Sequence, residues 1–205
     1  MYSTGQESFW AGNFGTDYTA RNYGMDLIAS NTALFARALQ STRNILSVLE
    51  FGANSGLNLK AISRLFPNLK LSAIEINERA CSALRRWGDI DVFEGSIFDC
   101  PMDSKHDLTL SKGLLIHINP DMLYEAYGRL YELSNKYILI CEYYNPVPVE
   151  TRYRGHLGRL YKRDFAGDML DLYPDLSLID YGFVYHRDAN FRQDDLTWFL
   201  MQKTV

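Results

Sequence analysis

Val48-Leu49-Glu50-Phe51-Gly52-Ala53-Asn54-Ser55-Gly56 puts an acid at the end of an apolar run and a glycine-flanked turn directly behind it. The run starts at Ile45 and is short, β-branched and leucine-rich, so Ile45–Leu49 reads as a buried first strand. Glycine has no Cβ, so a turn carrying Gly52 and Gly56 lets backbone approach a ligand closely. Behind it, Leu57, Ala61, Ile62 and Leu65 recur at helical spacing, and Pro67-Asn68 stops that helix.

The alternation of strand and helix continues outward. Leu69–Ile76 reads as the second strand, and Asn77 as the N-cap of a helix through Arg86 that sets Ala80, Ala83, Leu84 and Trp87 on one side. Asp91–Glu94, Asp107–Ser111 and Tyr137–Cys141 read as the third, fourth and fifth strands. Pro120-Asp121 opens a helix along Leu123, Ala126, Tyr127 and Leu130. From Tyr143 to Lys162 no period survives, and a long irregular stretch inside a compact domain is usually functional or disordered. Arg163–Leu172 is helical again. Leu176–Tyr185 and Leu196–Gln202 then alternate as two strands around a polar loop, Asp188–Asp195. The expected fold is α/β: a doubly wound, seven-stranded, mostly parallel sheet ending in an antiparallel C-terminal hairpin. Residues 1–205 are expected to form one domain, with a helical N-terminal lid over 1–40 and an acceptor-site insertion over 143–163.

Bulk properties narrow the function. The 205 residues are 47% hydrophobic and 22% charged, ordinary for a globular chain and unlike disordered or fibrous ones. A net charge of -4 offers no basic footprint for nucleic acid. No apolar run is long enough for a bilayer, and Met1–Trp10 lacks the pattern of a secretory signal, so no membrane partner is expected. Cys81, Cys100 and Cys141 are odd in number and far apart, which suits a reducing cytoplasm rather than a disulfide framework. The four histidines are scattered without metal spacing, so no metal is expected. Nothing in the pattern specifies an oligomeric state.

The chemistry of the turn favours a particular nucleotide. Glu75, at the end of the second strand, lies nineteen positions after Gly56, about the distance at which an acid meets a ribose in nucleotide-binding βαβ units. A carboxylate accepts from both ribose hydroxyls at once. A dinucleotide also needs a pyrophosphate seat, and the Gly-x-Gly-x-x-Gly fingerprint is absent here. Glu50 repels a phosphate and attracts a cation, which argues for S-adenosylmethionine over NAD. The expected cofactor set is Glu50, Gly52, Ala53, Asn54, Gly56, Glu75 and Ile76, joined by Ser96 and Ile97 after the third strand and by Lys112 and Gly113 after the fourth.

At this point the whole length resembles the pseudaminic acid biosynthesis-associated methylases, a branch of the class I methyltransferases. The stretches carrying the resemblance are Phe9–Asn22, Leu49–Gly56, Ser111–Pro120, Glu142–Asp164 and Tyr181–Trp198. It implies methyl transfer from S-adenosylmethionine to an oxygen or nitrogen of a small polar acceptor, a nonulosonic acid sugar or related metabolite. His117, just past the fourth strand and titrating near neutral pH, is the first candidate base, and Tyr144 the second catalytic candidate. Tyr143, Asn145, Arg154, His156 and Arg163 are the candidate acceptor wall, with Tyr18, Arg21 and Asn22 closing over it; arginine forks suit a carboxylate or phosphate.

Three other readings stand beside this one. A Rossmann oxidoreductase needs the missing phosphate seat. A non-catalytic cofactor-binding scaffold is countered by the intact Glu50–Gly56 loop. A third is a nucleic acid or protein methyltransferase; the acidic balance and the absence of a basic stripe count against nucleic acid, and Tyr144-Asn145-Pro146 follows the fifth strand where the Asn/Asp-Pro-Pro-Tyr motif of amino methyltransferases follows the fourth.

Overall fold

A computed structural model describes residues 4–204. The chain opens with three helices, α1 (Gly5–Ala11), α2 (Asn13–Arg21) and α3 (Met25–Ala38). There follow β1 (Ser47–Phe51), α4 (Leu57–Leu65), β2 (Lys70–Glu75), α5 (Glu78–Trp87), β3 (Asp91–Glu94) and β4 (His106–Lys112). The second half holds α6 (Leu123–Glu132), β5 (Ser134–Glu142), β6 (Val149–Glu150), β7 (Tyr161–Lys162), α7 (Phe165–Leu172), β8 (Leu176–Val184) and β9 (Leu196–Lys203).

Seven strands form one sheet in the order β3-β2-β1-β4-β5-β9-β8. The first five are parallel, and β9 enters antiparallel between β5 and β8. The expected doubly wound sheet and its antiparallel C-terminal hairpin are both present. Strand order reverses between β1 and β4, and a crevice opens at that switch beyond the carboxyl ends of the strands. Alternation along β1 divides the core: Val48 joins the layer of α3 and α4, while Leu49 and Phe51 join that of α6 and α7.

Some boundaries differ from the sequence reading. β1 runs on through Glu50 and Phe51, because both are buried and pair with β2 and β4. Pro120 starts a 3-10 turn, Pro120–Met122, ahead of α6. α7 begins after Arg163, since the Asp164 side chain caps it by accepting from the Gly167 N–H. Within the irregular stretch, β6 and β7 form a two-residue antiparallel ladder.

Candidate active site

The turn after β1 is built from left-handed backbone. Gly52 has φ +68° and Gly56 φ +78°. A Cβ on Gly52 would stand 2.8 Å from Leu114 Cδ1, and one on Gly56 2.6 Å from Leu84 Cδ2. Asn54 also takes a positive φ, +48°, which asparagine tolerates better than most residues with a side chain. The turn is therefore pressed between the loop after β4 and α5, and its peptide groups edge the crevice.

That crevice is a cavity of about 760 Å³. Gly52, Ala53, Asn54, Glu75, Ile76, Ser96, Ile97, Lys112 and Gly113 line its floor. Glu75 anchors the floor. Its Oε2 accepts from the Asn54 N–H at 2.7 Å, and its Oε1 from Ile76 and Asn77 at 2.9 and 2.8 Å. Burial raises its pKa, opposed by those three N–H groups. The acid fixes the turn with three of its roughly four lone-pair sites, and it still lines the cavity with acceptor capacity left on Oε2.

Glu50 corrects an expectation. It does not line the cavity but lies wholly buried beneath the floor. Its Oε1 accepts from Asn58 Nδ2 at 2.5 Å, and its Oε2 is buried without a hydrogen-bond partner. Burial drives its pKa up to about 8, with Asn58 and the Lys112 ammonium pulling it down. The carboxyl is thus largely protonated at neutral pH in the protein alone, rather than a standing negative charge. Its influence reaches the cavity through Asn58, which lines it.

The roof comes from α1 and α2. Gly15 of α2 meets α1 so closely that a Cβ there would lie 1.8 Å from Trp10 O. Asn77 staples this pair to the sheet: its Oδ1 caps α5 by accepting from Ala80 N, and its Nδ2 donates to Trp10 O at 3.1 Å and Thr16 Oγ1 at 3.2 Å. Under the roof, the His117 ring lies 4.7 Å from the rings of both Trp10 and Tyr153. Its Nδ1–H donates to the Arg159 carbonyl at 2.5 Å, which fixes the tautomer and leaves Nε2 as the basic nitrogen. Burial pushes its pKa down to about 4, so the ring is neutral at physiological pH. The His117 turn is itself held by Glu142, whose Oε1 accepts from Ser111 Oγ, Leu114 N and Leu115 N.

This architecture can be matched to solved structures. The chain superposes on the 1,6-didemethyltoxoflavin N1-methyltransferase of Burkholderia thailandensis, solved with 1,6-didemethyltoxoflavin and S-adenosylhomocysteine, at TM-score 0.67 and 16% identity over 93% of this chain and 83% of that one. It superposes on the magnesium protoporphyrin IX methyltransferase of Synechocystis PCC 6803, solved with S-adenosylmethionine, at TM-score 0.69 and 11% identity over 100% of both chains. The fold is that of the class I methyltransferases. A third such structure, a plantazolicin methyltransferase holding a substrate analogue and S-adenosylhomocysteine, gives TM-score 0.64 and 14% identity over 93% of this chain and 90% of that one. No protein-family model matches the chain, and no curated protein matches it by sequence.

Within this methyltransferase fold the other candidates separate. Tyr18, Asn22, Tyr143, Arg154 and His117 line the cavity. Tyr18 is buried, which pushes its phenol up to about 12. Seven candidates lie outside the lining: Glu50, Gly56, Arg21, Tyr144, Asn145, His156 and Arg163. Tyr144, just past the end of β5, lies outside the cavity with its ring 5.9 Å from that of Phe199. Arg163 Nε sits 2.7 Å from Asp168 Oδ2, where it braces the start of α7. Asn145 Nδ2 donates to Val147 O, and the His156 ring packs on Phe9. Arg21 lies 6.0 Å over the Phe14 ring.

The sequence reading missed lining residues from the β8–β9 loop: His186, Arg192, Gln193 and Asp194. Gln193 Nε2 donates to Ser30 O and draws the loop onto α3, while Asp194 accepts from the Tyr143 hydroxyl at 2.7 Å. His186 pairs with Asp195 at 2.8 Å. Among the described residues, no cluster of three His, Cys, Asp or Glu side chains is placed to hold a metal ion, and no helix is long and apolar enough to cross a membrane.

Proposed function

We propose that this chain transfers the methyl group of S-adenosylmethionine to an oxygen or nitrogen of a small, anionic, polar acceptor. The observation that carries the reading is Glu75, held by three N–H groups at the carboxyl end of β2, lining a cavity edged by the Gly52–Asn54 turn and keeping acceptor capacity on Oε2. That is where a nucleoside's ribose diol finds an acceptor. The donor set fits the rest of the cofactor. Lys112, beside Gly113, complements a carboxylate, and Asn58 backed by Glu50 suits an ammonium. Ser96 and Ile97 offer a half-polar slot for a base.

When bound, the cofactor supplies a methyl already activated on a sulfonium. The protein then has to align the acceptor and exclude water. The roof of α1 and α2 covers the cavity for the second task. His117, neutral and with Nε2 free of hydrogen bonds among the described residues, takes the proton of an acceptor that arrives protonated. Arg154 and Arg192 line the acceptor end and suit a carboxylate or phosphate. Together with the resemblance to the pseudaminic acid-associated methylases, this makes a nonulosonic acid sugar the first acceptor to try.

Calorimetry with S-adenosylmethionine, S-adenosylhomocysteine and NAD, followed by transfer of labelled methyl to a panel of acidic sugars and their neutral analogues, tests the reading. Association with the first two ligands and label in an acidic product are expected. Binding of NAD with no heat from S-adenosylmethionine overturns it in favour of an oxidoreductase.

A further inference from the structure

β8 is the free edge of the sheet, and one face behind it is left bare. α7 covers the near part, where Leu176 and Met201 are buried. Farther along, Tyr181 and Phe183 project from the same face at two-residue spacing, and Tyr185, just past the end of the strand, packs beside Phe183. Phe199 of β9 stacks 6.4 Å from Tyr181, Tyr144 lies 5.9 Å from Phe199, and Tyr185 6.1 Å from Phe183. Tyr181 is 65% exposed, Phe183 53%, Tyr185 46% and Tyr144 42%. The opposite face of the same strands is covered: Trp198 lies against Gly182, and Val184 packs into the α3–α4 core. Asp180 turns toward that covered side, near Gln40 and Ser41, and the ionisable groups that meet the rings are the paired His186 and Asp195 beside Tyr185.

The geometry points to a homodimer in which this aromatic face packs against its own copy across a two-fold axis. A contiguous apolar patch of this kind marks an interaction site rather than ordinary surface. A flat sheet face is suited to face-to-face packing, in which side chains of two sheets interdigitate about 10 Å apart. The rings themselves are uncharged, and at their edge His186 beside Tyr185 is paired with Asp195, so a two-fold axis through the rings brings no unpaired like charges together; a closed two-fold pair is the commonest assembly. Four exposed rings at about 100 Å² each, with the part-buried Phe199 between them, put the pair at roughly 900 Å², and modest rim contacts carry it past the size of about 1,000 Å² at which an interface becomes specific. A lipid surface fits poorly, since none of the patch rings carries a positive charge, the adjoining His186 is paired with Asp195, and the chain carries a net charge of -4.

Light scattering after gel filtration and sedimentation velocity on the full chain, across the micromolar range, test this. The expected result is twice the monomer mass. Tyr181→Lys with Phe183→Lys places like charges on the axis and is expected to weaken association by roughly a hundredfold while circular dichroism stays native. Tyr124→Lys, on an exposed ring of α6 outside the patch, is expected to leave the dimer intact. If the double variant does not fold, Tyr181→Lys alone gives the same reading. A wild-type monomer at every concentration overturns the proposal. So does a dimer that survives the lysines, which would mean pairing through the backbone edge of β8. Neither outcome bears on methyl transfer.

Discussion

His117 illustrates how local structure fixes the tautomer and the charge of a histidine. Its Nδ1–H is committed to the Arg159 carbonyl, and burial between Trp10 and Tyr153 removes the charged form. His117→Ala is expected to lower the rate of methyl transfer by roughly a hundredfold or more while calorimetry shows donor affinity kept. Unchanged turnover would take the ring out of the chemistry and leave it a packing residue. Glu75→Gln acts on the other step. An amide cannot accept on its nitrogen side, so one of the Asn54, Ile76 and Asn77 N–H groups is left facing an NH2. The expected cost is about 1–3 kcal/mol, read as a fall in melting temperature together with weakened donor binding. At this scale the glycine turn was legible, because left-handed backbone leaves few residue choices and Gly52, Asn54 and Gly56 are among them. Tyr144 was misplaced because a side chain just past the end of β5 is not oriented by any local pattern: Tyr143 lines the cavity, while Tyr144 packs toward Phe199 outside it.

Among the elements, the α1–α2 pair depends on Asn77 for its seat. Asn77 performs two separable tasks, since its Oδ1 caps α5 and its Nδ2 holds the end of α1. Asn77→Ala removes both and is expected to cost about 1–2 kcal/mol from the lost cap, and to expose residues 5–21 to proteolysis. Asn77→Asp keeps a capping oxygen but has no donor for Trp10 O. It is expected to retain most of the stability yet show the same fast proteolysis and faster amide exchange in α1 and α2. If the aspartate variant protects those helices as the wild type does, the staple is not what seats them. The parallel strands and their helices were readable from apolar runs and helical periods, which act over a few residues. The β8–β9 loop was not. It reads as plain polar sequence, and it joins the site through a hydrogen bond from Gln193 to Ser30, across a separation in the chain that no local pattern encodes.

For the molecule as a whole, buried ionisable groups tie stability and cofactor affinity to pH. Glu50 is raised from 4.5 to about 8. Below about pH 4.5 it is protonated folded or unfolded and contributes nothing. As pH rises from there toward 8, the unfolded chain gives up the proton and the folded chain does not, so stability is lost. Glu142, raised by burial to about 7, acts in the same direction. His117, lowered from 6.5 to about 4, acts oppositely: stability is lost as pH falls through that window, because the unfolded chain takes up a proton that the buried ring refuses. Above pH 6.5 the histidine no longer counters the two acids, and the melting temperature of the protein alone is expected to decline toward pH 8. A cationic cofactor changes the balance, since it favours the ionised carboxylate of Glu50. Donor affinity is therefore expected to rise with pH until about 8, by at most tenfold per unit, and binding at pH 7 to release a proton. Titrations in buffers of different ionisation enthalpy measure that proton directly. Glu50→Gln should flatten both the affinity profile and the buffer dependence. A wild-type profile as flat as that of the glutamine variant would mean that the buried acid does not sense the bound cation, and that its raised pKa bears on folding alone.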